Sequence, residues 1–202
     1  RSTLMRSSAA SDVYKRQVTK EMLEEIKPDA LIVAIGSSPF VLPIEGSERA
    51  IVAHDVLSEK VEVPGENVVI IGGGLVGFET AEFLAARQKK VTVLEMKEKA
   101  LQDLGPLRQI TAQFAMAQMP ITIETSAIVE RIEDHAVVAS GKEYPYDSVI
   151  MAVGSKANDT SMYTDLGIPT YIVGDCKKAG VALDAFKDAY HAVLEINKVI
   201  RN

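Results

Sequence analysis

The sequence has little cysteine and no long apolar run. Its 202 residues include one cysteine, Cys176, which excludes an intrachain disulfide and a CxxC redox pair. No apolar stretch approaches the roughly 18 residues that would cross a bilayer, and no signal-peptide pattern appears. We therefore expect a reducing, cytoplasmic setting, in which Cys176 serves packing.

Basic residues and catalytic clusters are also scarce. Lys and Arg number 22 against 28 Asp and Glu, and the net charge of −6 argues against nucleic acid or an anionic membrane as the main partner. The three histidines, His54, His135 and His191, lack the spacing of metal ligands. No Ser-His-Asp order suggests a hydrolase. We expect no metal site and no side chain that acts as a general acid or base.

What is present is the composition of an ordinary globular protein, with 47% apolar and 25% charged residues. The first 17 residues, RSTLMRSSAASDVYKRQ, are an exception because they lack helical or strand periodicity. The piece SDVYKRQ also resembles the translation of an adapter used in preparing DNA libraries. We predict a non-native or disordered leader at 1–17, the alternative being a native flexible tail.

Short apolar runs rich in Val and Ile recur along the rest of the chain. Each is followed by Gly or an acidic residue, which is typical of strands buried on both faces of a parallel sheet. Two short alternating pieces, 126–132 and 135–140, predict an antiparallel hairpin. The apolar runs are ALIVAIG (30–36), VVIIG (68–72), KVTVLE (90–95), SVIMAVG (148–154) and TYIVGD (170–175).

Helical spacing separates these strands. Between 75 and 88, one face carries Leu75, Phe78, Ala81 and Ala85, so the pattern predicts a helix there. Alternation of strands and helices indicates an α/β fold. The last segment predicts a longer helix, one stripe of which is lined by Ala182, Phe186, Ala189, Val193, Ile196 and Ile200.

A glycine-rich turn lies between the second of these runs and the first helix. Gly72, Gly74 and Gly77 form G-x-G-x-x-G, in which the first glycine permits a tight turn, the second lets the backbone approach a pyrophosphate, and the third allows close packing of helix on strand. The helix N-terminus attracts phosphate. The alternative is an empty glycine turn. The predicted cofactor-binding residues of this turn are Gly72, Gly73, Gly74, Leu75, Val76 and Gly77.

Acidic residues near the turn suggest which nucleotide binds. Glu95 closes the next strand, where a carboxylate can accept from both ribose hydroxyls of NADH and would repel the 2′-phosphate of NADPH. We favour NADH, although Lys97 and Lys99 leave NADPH open and a solvated strand end is the plain alternative. Met96 joins Glu95 in the predicted site. Glu79, in the first helical turn, either lies at the nicotinamide or only stabilises the helix dipole.

From Pro28 to Ile196 the chain resembles the C-terminal part of NADH:flavin oxidoreductases of the 2-enoate reductase and 2,4-dienoyl-CoA reductase type. In that family, the first domain-crossing strand usually ends in Ala-Thr-Gly where this chain has Ala34-Ile35-Gly36. The matching pieces are DALIVAIGSSP, VAHDVL, NVVIIGGGLVGFETAEFLA, DSVIMAVGSKAN and YIVGDCKKAGVALDAFKDAYHAVLEI.

The resemblance implies a Rossmann-like NAD-binding domain, 65–157, inserted in an incomplete FAD-binding domain made of 18–64 (with a hinge) and 158–202. The segments 27–39 and 144–158 share one pattern, which marks the two crossings unless their likeness is a coincidence between buried strands. Asp175 would bind the ribityl chain of FAD, or else serve only as a cap or turn residue. The helix starting near Val181 would point at the flavin. Predicted residues at the crossings and at the flavin are Gly36, Gly154, Gly174 and Asp175.

The family also carries an N-terminal barrel with FMN and an iron–sulfur cluster, followed by its own FAD-binding G-x-G-x-x-G. None of these appears in the 202 residues, so we interpret the chain as a fragment whose missing partner is that barrel. The resemblance implies transfer of hydride from NADH to FAD, which in the intact protein feeds reduction of an activated C=C bond. The alternative is a nucleotide-binding module without turnover.

Overall fold

The protein is described from a computed structural model that covers residues 17–102, 104–116 and 118–200. The chain divides into a central unit, Ser38–Lys156, and an outer unit made of the residues up to Ser37 and from Ala157 onward. The predicted leader lies, except for Gln17, outside the described residues. Residues 38–64, assigned from sequence to the outer segment and hinge, pack in the central unit.

The central unit is built on a five-stranded parallel sheet. Its order is β3-β10-β4-β5-β6, and β4 at its centre is buried from Val68 to Ile71. Burial on both faces explains why β4 and β10 are nearly continuous apolar runs in the sequence. The strands are β3 Ile51–Val52, β4 Asn67–Ile71, β5 Lys90–Leu94, β6 Ile121–Glu124 and β10 Ser148–Met151.

Different elements cover the two faces of this sheet. On one face, Val68 and Ile70 pack with Ala81 and Leu84 of a helix. On the other face, Val69 and Ile71 pack with a three-stranded antiparallel sheet, which confirms the predicted hairpin. The helices of this unit are α2 Ala53–Leu57, α3 Leu75–Ala85 and α4 Pro106–Met116, and the antiparallel strands are β7 Val129–Ile132, β8 Ala136–Ala139 and β9 Lys142–Pro145.

The outer unit joins segments from both sides of the central one. Strand β1 pairs in parallel with β12, so that Leu31 lies opposite Thr170. This pairing confirms the predicted nested fold, in which one domain is inserted in another. The elements are α1 Lys20–Ile26, β1 Leu31–Val33, α5 Ser161–Thr164, β12 Thr170–Ile172 and α6 Ala182–Ile200; β2 Ser37–Pro39 and β11 Ser155–Ala157 pair where the chain passes between the units.

The predicted long helix is confirmed as α6, but much of its apolar stripe is exposed. Phe186 is 73% exposed and Val193 is 47% exposed, whereas Ala192 is buried. The helix turns its small side chains inward because it packs closely on the turn at Gly174, where an added Cβ would lie 3.4 Å from the Cβ of Ala185. The side chain of Ile200 lies outside the described residues. Within the described ranges, no helix is both long and apolar enough to span a membrane.

Candidate nucleotide-binding site

The glycine-rich turn joins the end of β4 to the start of α3 and leaves no room at two of its glycines. Gly72 has φ +106, and a Cβ there would lie 2.5 Å from the carbonyl oxygen of Ala152 on the neighbouring chain segment. A Cβ on Gly77 would overlap the carbonyl oxygen of Gly72. The first glycine is therefore needed for the backbone conformation and the third for close approach of helix and strand.

Gly74 differs from its two neighbours in the motif. It is the N-cap of α3 with φ −77, and no side chain caps the helix there. Apart from the adjoining backbone and chain neighbours, no atom lies within 4 Å of the position that its Cβ would occupy. The backbone thus faces open space beside the first turn of the helix, where N–H groups lack intrahelical partners and attract anions.

Glu95 lies beside this turn and is 7% exposed. Its Oε2 accepts from the Gly73 N–H at 2.8 Å, and its Oε1 accepts from the Lys97 N–H at 2.8 Å. A Cβ on Gly73 would approach that of Glu95 to 2.9 Å. The carboxylate is therefore held against the turn by backbone donors, and each oxygen keeps acceptor capacity for a further donor such as a ribose hydroxyl.

The other predicted residues of the central unit lie on α3 and shortly after β5 and β10. Leu75 and Val76 are half-buried in the first turn of α3. Glu79 is exposed on the same helix but lies beyond the first turn, in which the sequence analysis placed it, because the helix begins at Leu75. Met96 follows Glu95 and is 66% exposed. Gly154 follows β10 with φ +95, and its carbonyl accepts from the Phe40 N–H at 2.9 Å.

In the outer unit, Asp175 is held by two donors. Its Oδ2 accepts from the Ser37 hydroxyl at 3.2 Å, and its Oδ1 accepts from the Gly180 N–H at 3.3 Å. Gly36 and Gly174 both have positive φ, +71 and +66. These residues, which are distant in sequence, therefore meet in one unit. Sequence reasoning missed Ser37, although it follows the predicted crossing strand directly.

Asp188 on α6 is a second residue that the sequence did not reveal. Its Oδ2 accepts from the Gly174 N–H at 3.3 Å, and its Oδ1 accepts from Lys177 Nζ at 2.5 Å. The Lys177 hydrogen bond, assisted by the Gly174 N–H, holds the pKa of Asp188 below its ordinary value. The turn that carries Asp175 is thus tied to α6.

The buried thiol Cys176 also belongs to the outer unit. Its Sγ lies 3.3 Å from the carbonyl oxygen of Val33 and 3.2 Å from that of Val173. Since Cys176 is 5% exposed, it packs between β1 and the turn after β12, as predicted. Among the residues that the structure describes, no group of three or more His, Cys, Asp or Glu could hold a metal ion.

A cavity of about 620 Å³ lies in the central unit, near the carboxyl ends of β5 and β6. It is lined by residues 98–102 together with Gln109, Ile123 and Thr125. Sequence reasoning did not find this cavity, because its wall is a loop without periodicity. The glycine-rich turn follows β4, and the cavity lies where β5 and β6 end. Because these strands are parallel, the turn and the cavity lie at the same carboxyl-terminal edge of the sheet.

The parallel sheet, its glycine-rich turn and the carboxylate at the end of β5 define a dinucleotide-binding α/β protein. Residues 3–180 match the family described as pyridine nucleotide-disulphide oxidoreductase. The chain belongs to this family, whose members bind FAD and NAD(H). The match includes most of the segment 1–17, which the sequence analysis predicted to be a non-native or disordered leader.

Relatives support the more specific resemblance to enoate-reductase-type proteins. The chain is 32% identical to an NADH oxidase of Thermoanaerobacter brockii, over 87% of this chain and 29% of that protein. It is 34% identical to cinnamate reductase of Clostridium sporogenes, over 88% of this chain and 28% of that protein. The solved 2-naphthoyl-CoA reductase, in complex with 2-naphthoyl-CoA, is 30% identical and covers 86% of this chain with a TM-score of 0.77. The chain spans less than a third of the length of each of these relatives.

Proposed function

We propose that this chain is the NADH-binding and FAD-binding part of an oxidoreductase that transfers hydride from NADH to FAD. In the intact protein, the electrons would go on to reduce an activated C=C bond. The observation that carries the proposal is the Glu95 carboxylate, which backbone N–H groups hold beside the glycine-rich turn. The names of two relatives, cinnamate reductase and 2-naphthoyl-CoA reductase, support the C=C substrate class.

In this proposal, the central unit binds NADH. The pyrophosphate lies at the open face of Gly74 and at the N-terminus of α3, and Glu95 accepts from the adenosine ribose hydroxyls. The buried carboxylate favours NADH because a 2′-phosphate would meet its charge. Met96 and Gly154 lie at the rim of the site, and Glu79 faces the nicotinamide. The proposed NADH-binding residues are Gly72, Gly73, Gly74, Leu75, Val76, Gly77, Glu79, Glu95, Met96 and Gly154.

The outer unit would hold FAD. Asp175, already oriented by Ser37 and Gly180, accepts from the ribityl chain, and Gly36 and Gly174 allow the flavin to approach the backbone. The N-terminus of α6 would direct its partial positive charge towards the flavin, and the bound flavin would supply the hydride-accepting chemistry. The chain's own contribution is to bind and orient both cofactors.

The proposal extends to the architecture of the whole protein. Residues 18–64 and 158–202 would serve the FAD domain and 65–157 the NAD domain, with 38–64 as the part of the FAD-domain segment that packs in the central unit. An N-terminal barrel, which would bind FMN and an iron–sulfur cluster, would be the partner that receives the electrons. A cytoplasmic setting fits the buried free thiol of Cys176.

A second function, nucleotide binding without turnover by these 202 residues, is favoured by the outer unit. Its sheet has two strands among the described residues, against five in the central unit. Phe186, Leu183 and Tyr190 on α6 are all at least 60% exposed. The outer unit thus has less protein around its site than the central unit has.

Gel filtration after mixing the chain with FAD and NADH separates these functions. If the chain transfers hydride, we expect the eluted protein to be yellow with bound FAD. Its flavin absorbance band, at about 450 nm, should then bleach when NADH is added in the absence of oxygen. If the eluted protein is colourless but calorimetry still detects NADH binding, the result would favour a nucleotide-binding module without turnover. Protein that binds neither cofactor would contradict both functions. Gly74→Val serves as the control that retains the fold but lacks the NADH site.

A further inference from the structure

We infer that Gln109 is a positioning residue that holds the glycine-rich turn in its nucleotide-binding conformation. The inference rests on the proposed function, because it concerns the NADH site of the central unit. Gln109 lies in the first turn of α4 and does not belong to the G-x-G-x-x-G motif. It acts through the loop that follows Glu95.

The side-chain amide of Gln109 binds the backbone of this loop. Its Nε2 donates to the carbonyl oxygen of Leu104 at 2.8 Å and to that of Leu101 at 3.0 Å. A longer contact of 3.5 Å reaches the carbonyl of Gln102. An amide NH₂ group carries two hydrogens, so the two shorter bonds use its full donor capacity.

Leu101 connects this loop to the glycine-rich turn. Its backbone N–H donates to the carbonyl oxygen of Gly73 at 3.0 Å, and the N–H of Gly73 donates to Glu95 at 2.8 Å. The side chain of Leu101 is 4% exposed and packs with Phe78 and Met116. A continuous chain of hydrogen bonds therefore runs from Gln109 through Leu101 and Gly73 to Glu95.

The backbone of Leu101 needs such support. Its φ is +59, in the left-handed region that a residue with a branched aliphatic side chain rarely adopts. The bond from Gln109 to the Leu101 carbonyl and the bond from Leu101 to Gly73 both fix this conformation. Without Gln109, the Leu104 carbonyl loses its bond from the Gln109 amide, and the Leu101 carbonyl keeps only the bond from the Leu104 N–H at 3.1 Å. The loop can then relax, which would release one side of the turn proposed to contact the pyrophosphate. Pre-organisation of a binding site is a direct contribution to affinity.

The test compares Gln109→Ala and Gln109→Glu with the exposed Gln118→Ala as matched control, all in the 202-residue chain. The Glu variant keeps the length of the side chain but cannot donate when ionised. We expect both Gln109 variants to weaken NADH binding by roughly tenfold in calorimetry. Hydrogen–deuterium exchange of the Leu101 and Gly73 amides should rise in both variants, and Gln118→Ala should change neither measurement.

The outcomes separate this inference from the proposed function. If the wild type binds NADH and Gln109→Ala binds it equally well, the inference is overturned and the proposed function stands. Faster exchange throughout the central unit, rather than at Leu101 and Gly73, would show a general loss of stability and would also overturn it. Failure of the wild type to bind NADH would overturn the proposed function and the inference together.

Discussion

At Gly74, the position of an added Cβ has no atom within 4 Å apart from those of the adjoining backbone and chain neighbours. We predict that Gly74→Val folds normally, because φ −77 and ψ −171 suit a β-branched residue. Its methyl groups would occupy the space through which a pyrophosphate approaches the backbone. NADH affinity should fall by at least roughly a hundredfold, or about 2.7 kcal/mol, in calorimetry, while circular dichroism stays near that of the wild type. Gly74→Ala should give a smaller loss. Retained affinity in the Val variant would exclude the turn as the phosphate site.

Glu95 accepts hydrogen bonds from the backbone of the turn and is also proposed to bind the ribose of NADH. Its variants are therefore best compared by the ratio of the dissociation constants for NADH and NADPH. Arg at this position cannot accept from Gly73 or Lys97, and absolute affinity should fall for both nucleotides. Because Arg attracts a 2′-phosphate, we predict that Glu95→Arg shifts the ratio of dissociation constants towards NADPH by at least about tenfold. The exposed Glu62→Arg makes the same charge change elsewhere and should leave the ratio as it is. A ratio unchanged in Glu95→Arg would remove Glu95 from the ribose site.

Residues whose role depends on local sequence could be predicted, and residues whose role depends on the path of the backbone could not. The spacing of Gly72, Gly74 and Gly77 between strand and helix was enough to locate the turn. Gln109 and Ser37 act instead on groups that folding brings to them: Gln109 on loop carbonyls, and Ser37 on a carboxylate from the far end of the chain. No periodicity or spacing marks such contacts in a single sequence.

At the scale of elements, Asp147 fixes the start of two neighbouring strands, β4 and β10. Its Oδ2 accepts from the N–H groups of Glu66 and Asn67 at 2.9 and 2.8 Å, and from the Asn67 side chain at 3.1 Å. These backbone N–H groups, with Asn67 contributing most, hold the pKa of Asp147 below its ordinary value of 3.8. The carboxylate therefore stabilises the fold above about pH 4, and this contribution is lost as the pH falls through the lowered pKa.

We predict that Asp147→Asn lowers the thermal unfolding midpoint at pH 7 and that the gap to the wild type narrows as the pH is lowered below about 4. Thermal unfolding followed by circular dichroism at both pH values measures this gap. The exposed Asp165→Asn should change neither midpoint. A gap at pH 7 that persists undiminished in acid would mean that the ionised carboxylate is not its source.

Strand positions were easier to predict than the buried face of the last helix. The buried strands β4 and β10 are apolar at every position except the first, so their sequences admit few other interpretations. Helix α6 carries both large apolar and small residues, and it buries Ala192 rather than Phe186. Close packing on the turn at Gly174 selects small side chains, and that requirement depends on tertiary structure.

At the scale of the whole molecule, the two units differ in how they are assembled from the chain. All five strands of the central sheet come from the continuous segment Ser38–Lys156. The outer sheet joins β1 from before that segment to β12 from after it. The nested fold was predicted because the family motifs occur in this order, and the pairing of β1 with β12 is the contact that realises it.

This pairing has a consequence for synthesis of the protein on the ribosome. Translation proceeds from the N-terminus, so β1 emerges before β12 and cannot pair with it until Thr170–Ile172 have been made. During that interval, the backbone of Leu31–Val33 is an unprotected strand that can attach to other nascent chains. The central unit already has every strand of its sheet by Met151, so it can collapse early and shorten the distance that the late strand must cover.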